Sequence, residues 1–381
     1  MDVLKPEQFN RIGSLTEGLR DQGMALSVLA GVRPGVVAVD NVDVPTALFI
    51  GAPEGGFAWT YLVGAAEDPA FRRDLSRWLF DERGLGDEVS FSFLVCDRAA
   101  WEEALEDVIA PRTVIPDRRL HYETTARPGA WHARVPDGYE IVDLDRRLLE
   151  SDVELHPQVA QWLDANFGSA DGFLEHGLGA VAVHGREIVG WILADSFVDA
   201  LCDIGGEVAE AHRRKGLACA STCRAVELAL DRGAERIGWH CHAINGPSIK
   251  TAEAAGFTFV GEYTIYPIQF DPEKHEKLVG IVVGEYVEAG DAGIASGDYE
   301  AANESFSRAL RLQPEAPVDR LHTAARAAAG VGEAERALDL LTQAVEAGWS
   351  QRSSTETQPE FASLHQNPRW AQILNTMSGA A

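Results

Sequence analysis

The stretch IGGEVAEAHRRKGLACASTCRAVELAL (204–230) holds the residues whose types and spacing suit a definite chemistry. A β-rich run leads into a tight Arg-x-x-Gly-x-Ala turn (Arg213, Gly216, Ala218), and the turn opens a helix expected over 216–232 that stops at Gly233. Backbone N–H groups and the positive end of a helix dipole then converge on one point, and an anion belongs there. Gly216 lets the backbone approach a ligand closely, and Ala218 keeps the helix start uncrowded. Arg213, Arg214 and Lys215 add positive charge to an otherwise acidic chain. A diphosphate fits this loop.

The flanking segments read as strands and helices. After the turn, ERIGWHCHA (235–243) reads as a strand, PSIKTAEAA (247–255) as a short helix opened by Pro247, and FTFVGEYTIYPIQF (257–270) as one or two closing strands. Before it come a strand at about 201–209 and a hairpin joining AVAV (180–183) to EIVGWILA (187–194). Helical signals lie at 143–150 and at 155–166, where Val159, Trp162 and Leu163 share a face. Residues 113–140 contain three prolines and no sustained period, so they read as a strand-and-loop connection and a domain boundary. The first 125 residues form an α/β unit: strand-like runs at 36–39, 46–50, 58–63 and 89–96, a helix opened by Asp68-Pro69, and a second helix at 101–110. No catalytic motif stands out in that part.

Residues 204–218 resemble motif A of the GNAT superfamily of N-acetyltransferases, whose Gln/Arg-x-x-Gly-x-Gly/Ala loop holds the coenzyme A diphosphate. Asn245, Ser248, Gly256 and Phe257 resemble its motif B, at the expected distance after the next strand. The likeness is closer to a long acetyltransferase family with an extra N-terminal α/β half, carried by VVAVDNVDVPTALFIG (36–51), HYE (121–123), WHARVPDGYEIVDLD (131–145) and Trp239-His240-Cys241. It covers residues 1 to about 270 and implies a mixed-sheet α+β fold with an extra N-terminal half (1–125) and a GNAT domain at 126–272; by pattern alone, strands followed by a helix and a strand without the Arg-x-x-Gly-x-Ala loop, that half reads as a worn GNAT-like unit. It also implies acetyl-CoA as co-substrate, no metal, and direct transfer to a primary amine on a small molecule or peptide. Val208, Arg213, Arg214, Lys215, Gly216, Leu217, Ala218, Asn245 and Ser248 are the implied cofactor residues.

In that chemistry a base takes the amine proton and an acid protonates the departing thiolate. The family's frequent tyrosine acid, seven residues after Asn245, is here Ala252. His242, or Tyr263 as alternate, is the substitute acid; Glu207, or Asp203, is the candidate base. A carboxylate on a strand edge is also often just solvated, and a strand histidine just hydrogen-bonded. Zinc held by Cys219, Cys223 and the 240–242 run is disfavoured, because alternation points Cys241 away from both histidines and the helical pair lacks Cys-x-x-Cys spacing.

The last segment, 273–381, carries an internal repeat. Gly297-Asp298-Tyr299 precedes Ala302, Phe306, Ala309 and Pro314; 35 residues on, Gly332 precedes Ala337, Leu341 and Ala344. This all-α helix–turn–helix array resembles tetratricopeptide repeats, with Tyr286 and Gly290 at matching first-helix positions. The resemblance implies a protein partner, and with it a rival reading: an adaptor whose GNAT core no longer turns over.

The 381 residues suit two or three cores. A net charge of −26 disfavours nucleic acid and anionic membranes and concentrates cationic small molecules. No run is long and apolar enough to span a membrane, the start lacks a leader pattern, and five irregularly spaced cysteines suit a reducing compartment; a soluble cytoplasmic protein is expected.

Overall fold

The computed structural model describes residues 1–378. The chain divides into two compact units, Met1–Asp271 and a second that starts at Pro272.

The first unit is built twice over on one pattern. Its first round runs β1 (Asp2–Leu4), two 3₁₀ turns and α1 (Gly23–Leu29), β2 (Val36–Val39), β3 (Ala47–Glu54), β4 (Phe57–Gly64), α2 (Pro69–Phe80), β5 (Phe91–Cys96), α3 (Ala99–Ile109) and β6 (Asp117–Thr124). Its second runs β7 (Tyr139–Asp143), α4 (Arg146–Leu149), α5 (Pro157–Phe167), α6 (Ala170–His176), β8 (Gly179–His184), β9 (Glu187–Val198), β10 (Leu201–Val208), α7 (Leu217–Asp231), β11 (Arg236–His242), α8 (Gly246–Ala254) and β12 (Thr258–Gln269). In each round the first four strands are antiparallel, a helix crosses over, and the next strand lies parallel to the fourth.

All twelve strands form one sheet, in the order β1-β2-β3-β4-β5-β12-β6-β11-β10-β9-β8-β7. The last strand of each round has crossed to the other: β12 pairs with β5, and β6 pairs with β11. The 113–140 segment, read as the connection between residues 1–125 and 126–272, thus supplies a central strand. Its charged sequence is tolerated there because the charges are answered: Arg119 Nη2 donates to the His240 carbonyl at 2.9 Å, and Glu123 pairs with Arg236.

Local chemistry explains the main elements. Ala47 to Ala52 is buried throughout, as expected of a strand covered on both faces. In α2, Asp68 caps the Ala70 N–H, Pro69 occupies the first turn, and Phe71, Leu75 and Leu79 pack with Phe49, Leu62 and Trp101. Each such side chain contributes about 1.5–3 kcal/mol by leaving water. The α7 helix buries Ala220, Cys223, Val226 and Ala229 against Trp191 and Trp239. The 143–150 helical signal shrinks to α4, because Tyr139–Asp143 pairs with β8 as an edge strand and Asp145 caps the Leu148 N–H. Residues 257–270 form one strand, with an irregularity between Phe259 and Gly261.

The second unit is helical: α9 (Pro272–Ser296), α10 (Tyr299–Leu312), α11 (Val318–Gly330), α12 (Ala334–Glu346), α13 (Arg352–Thr357) and α14 (Pro368–Ser378). Gly297 joins α9 to α10 and Gly332 joins α11 to α12, both with positive φ (78° and 85°). Small residues sit where paired helices touch: Ala302, Ala309, Ala325, Ala337 and Ala344 are fully buried, and a Cβ on Gly290 would lie 2.7 Å from the Phe306 ring. Among the described residues, no helix is long and apolar enough to cross a membrane.

Candidate active site

The Arg213–Ala218 turn stands between the end of β10 and the start of α7. Gly216 is the N-cap of α7 with φ 81°, a conformation an L side chain takes only with strain, and no side chain caps the helix. The Leu217 and Ala218 amides, ahead of the first intrahelical bond from Ala220 to the Gly216 carbonyl at 3.0 Å, therefore have no acceptor within the helix. Arg214 is also left-handed (φ 63°), and alternation of this kind turns successive N–H groups to one side. Lys215 Nζ donates to the Tyr139 hydroxyl at 2.5 Å. Arg213 Nε donates to the Val208 carbonyl at 2.9 Å, which ties the loop to the end of β10.

Beside this loop the sheet opens. Strand β10 pairs with β9 along its whole length, to Val208 opposite Gly190, but with β11 only at Leu201, Cys202 and Asp203. A register irregularity between Asp203 and Ile204 marks the point of divergence. On its other edge β11 stays paired with β6 from Ile237 to His242, while the β11 side of Ile204–Val208 has no strand partner among the described residues.

At the point of divergence lies a cavity of ≈ 200 Å³ with walls from both rounds of the fold. Trp59, Tyr61, Phe93 and Trp162 give it aromatic sides. Its polar groups are Glu54, Arg119, Asp195, Asp203, His240 and Tyr263. Asp203 is 5 % exposed; its Oδ2 accepts from the Gly23 N–H at 3.0 Å and the Ser196 hydroxyl at 3.5 Å. Its Oδ1 has no hydrogen-bond partner and stands 3.6 Å from His240 Nε2. Only a glycine fits across from it, since a Cβ on Gly238 would sit 2.1 Å from that oxygen. His240 Nδ1 meets the Tyr263 hydroxyl at 3.1 Å, which completes a Tyr263–His240–Asp203 line.

Burial shapes the ionisation of this cavity. It pushes the Asp195 carboxyl up to about 8, reinforced by the charge of Glu54 and opposed by Arg33. Glu54 is raised by burial too, although Arg33 pairs with it at 3.3 Å. Burial pushes Tyr263 up to about 12, opposed by Arg119. His121, stacked on His240 at 4.3 Å, is held below the usual histidine range by burial and by that neighbour.

The expected residues fall into three places. Asp203 and Tyr263, the alternates for base and acid, line the cavity. Glu207 and His242 are not among its lining residues: Glu207 turns to Arg213 at 3.9 Å, and His242 Nδ1 bonds Asp117 at 2.7 Å. Asn245 and Ser248 lie at the start of α8, where Asn245 accepts from the Ser248 N–H at 3.1 Å and the Ser248 hydroxyl accepts from Trp239 Nε1 at 3.1 Å. Ala252, at the missing tyrosine position, is fully buried.

Sequence reasoning weighed His240 only as a metal ligand and passed over Glu54, Arg119 and Asp195. One signal was available for Asp195: a carboxylate ending the apolar strand run Trp191-Ile192-Leu193-Ala194 needs a reason to be there. Among the described residues, no cluster of His, Cys, Asp and Glu has metal-site geometry. A wider open cleft of ≈ 730 Å³ runs along β7 and α4; in it Arg224 is bonded to Asp143 at 2.7 Å and to Glu227 at 2.9 Å.

The GNAT acetyltransferase family model matches residues 14–266, both rounds of the first unit. The chain belongs to the GNAT acetyltransferase family, a family of acyltransferases. It is 21 % identical over 240 residues to the "uncharacterized N-acetyltransferase YdfB" of Bacillus subtilis (strain 168), a match covering 63 % of this chain and 88 % of that one. Among solved structures it resembles a GCN5-related N-acetyltransferase-like protein from Streptococcus suis 89/1591, with TM-score 0.53 and 24 % identity over 68 % of this chain and 98 % of that one. A GCN5-related N-acetyltransferase from Sphaerobacter thermophilus is also similar, with TM-score 0.43 and 13 % identity over 71 % and 95 % of the two chains. The first structural likeness bears on the fold.

Proposed function

We propose that this protein transfers an acetyl group from acetyl-CoA to a primary amine. The observation that carries the reading is the pairing of an uncapped, basic start of α7 with a sheet that parts after Asp203. A helix start with no side-chain cap and three cations suit a diphosphate, and the open edge of Ile204–Val208 suits an extended amide-bearing arm. Val208, Arg213, Arg214, Lys215, Gly216, Leu217 and Ala218 would hold the cofactor, and the exposed amide of Asn245 and the Ser248 hydroxyl keep donors for its arm.

Bound there, acetyl-CoA supplies an activated thioester. The protein's residues position the acceptor and handle protons. Asp203 and His240 stand ready to take the amine proton, and Tyr263 replaces the absent tyrosine at 252 as proton donor to the leaving sulfur. Glu207 and His242 are left to outer roles, steadying Arg213 and the Asp117 end of β6. Isothermal titration with acetyl-CoA is the direct test: micromolar binding that Gly216→Glu abolishes is expected, and absence of binding at millimolar cofactor rejects the reading.

The buried Ala252 and the paired helices of the second unit favour one alternative, an adaptor. There the tetratricopeptide-like helices bind a protein partner, and the first unit keeps acyl-CoA only as a ligand or scaffold. Coenzyme A release with an amine panel separates the two.

A further inference from the structure

We infer that the cavity at the divergence of β10 and β11 is the acceptor site, and that it takes a compact, singly cationic primary amine rather than a peptide or a polyamine. The inference rests on the acetyl-transfer reading and adds the acceptor's class. Three observations carry it. The first is size: a cavity of about 150 Å³ holds benzene, so ≈ 200 Å³ admits an acceptor of roughly eight non-hydrogen atoms. The second is the wall. Trp59, Tyr61, Phe93 and Trp162 offer ring surfaces, which suit a short hydrocarbon body and attract a cation.

The third is charge. Glu54, Asp195 and Asp203 face the cavity, and the one guanidinium lining it, Arg119, is engaged with the His240 carbonyl at 2.9 Å and lies 4.8 Å from the Trp59 ring centre. Arg33 answers Glu54. Among the described residues, no hydrogen bond or ion pair reaches the Asp195 carboxyl, and Asp203 Oδ1 is buried without a hydrogen-bond partner. Asp203, buried in that condition, and the half-buried Asp195 beside it are costly to ionise, and a ligand ammonium relieves both. The raised pKa of Asp195, a carboxyl that resists ionising, is what such a site shows before its cation arrives.

The same groups allow the transfer to balance. The bound ammonium loses one proton to the Asp203–His240 pair. Its nitrogen then bonds the acetyl carbonyl carbon and loses a second proton to solvent, and the carbon–sulfur bond breaks with its electron pair on sulfur. Tyr263 protonates that sulfur and regains its proton through His240 Nδ1. The net change is ammonium plus thioester to N-alkylacetamide, free thiol and one proton.

The test measures coenzyme A release with n-alkylamines from ethylamine to octylamine, benzylamine, spermine and a lysine-containing peptide, alongside titration of acetyl-CoA into each variant. The short alkylamines or benzylamine should be the best acceptors by kcat/KM. Asp195→Asn and Glu54→Gln should each raise the amine KM tenfold or more while acetyl-CoA affinity stays within twofold, which also reports that the variants are folded. Phe93→Leu, which enlarges the cavity, should move the preferred alkylamine to a longer chain. If acetyl-CoA binds but spermine or the peptide is the best acceptor, or if both carboxylate variants keep the amine KM within twofold, the inference is overturned and acetyl transfer stands. If acetyl-CoA does not bind, both fall.

Discussion

The crossover units β4–α2–β5 and β10–α7–β11 share one topology, yet only the second has a gap between its parallel strands. In the first, pairing runs unbroken from Phe57 opposite Phe91 to Leu62 opposite Cys96. In the second it stops at Asp203 opposite Gly238. The helix starts differ in the same sense: Asp68 places a carboxylate on the first turn of α2, whereas α7 begins at a glycine after three cations. At the third paired position, Trp59 lies opposite Phe93 with ring centres 5.0 Å apart, and its equivalent is the buried Asp203 facing a glycine. The two crossovers thus differ in what they offer a ligand: the proposed cofactor site combines an uncapped helix start with a ladder that lets go, and the first crossover has neither. The sealed unit still serves the open one, since Trp59 and Phe93 wall the cavity that holds Asp203.

The sharpest way to break this comparison is at Asp203. Asp203→Asn should lower turnover about 10³-fold while acetyl-CoA affinity changes less than twofold, measured by thiol release and by titration. At the open helix start, Gly216→Glu puts a carboxylate where Asp68 already sits in the sealed unit; acetyl-CoA affinity should fall about 100-fold or more, read by titration. The converse change, Asp68→Ala, should cost about 1 kcal/mol in urea unfolding and leave acetyl-CoA binding unchanged, because the proposed cofactor site lies at α7.

The smallest effect lies where the two rounds meet. The Asp195 carboxyl is raised to about 8 from an ordinary 3.8 by burial, by Glu54 and by Asp203, against Arg33 and Arg119. A raised carboxyl stabilises the fold below its unfolded pKa and loses that contribution as pH climbs through the folded value. Asp195→Asn should therefore gain melting temperature relative to the parent by a few degrees between about pH 5 and pH 8. Parallel melting curves at the two pH values would contradict this.

Much of the fold was legible because it is written locally. The cap at Asp68-Pro69, the apolar strands of 36–63, the Gly216 turn and the 35-residue recurrence from Gly297 to Gly332 each announce an element within a few residues. Strand β6 was harder to place: its run of charged and polar residues looks like a surface, and only its cross-strand partners, His240 and Arg236, explain its central position. The edge strand β7 and the helix α1 were missed because each is short and takes its stability from what covers it. At the candidate site, the basic glycine turn that opens α7 was readable from its spacing, whereas the cavity was not. Glu54, Arg119, Asp195 and His240 come from four strands, and nothing in their local sequence ties one to another.

By itself, then, the sequence determined the basic turn, the helix it opens and the repeating helices that follow residue 272, since backbone preference and hydrophobic period act over a few residues. The tertiary structure alone decided that β6 and β12 exchange places, that β10 leaves β11 after Asp203, and that two acids from the second round face aromatic rings from the first. Strand pairing and burial are settled between residues far apart in the chain, and a carboxylate acquires an acceptor's chemistry only when distant neighbours remove it from water.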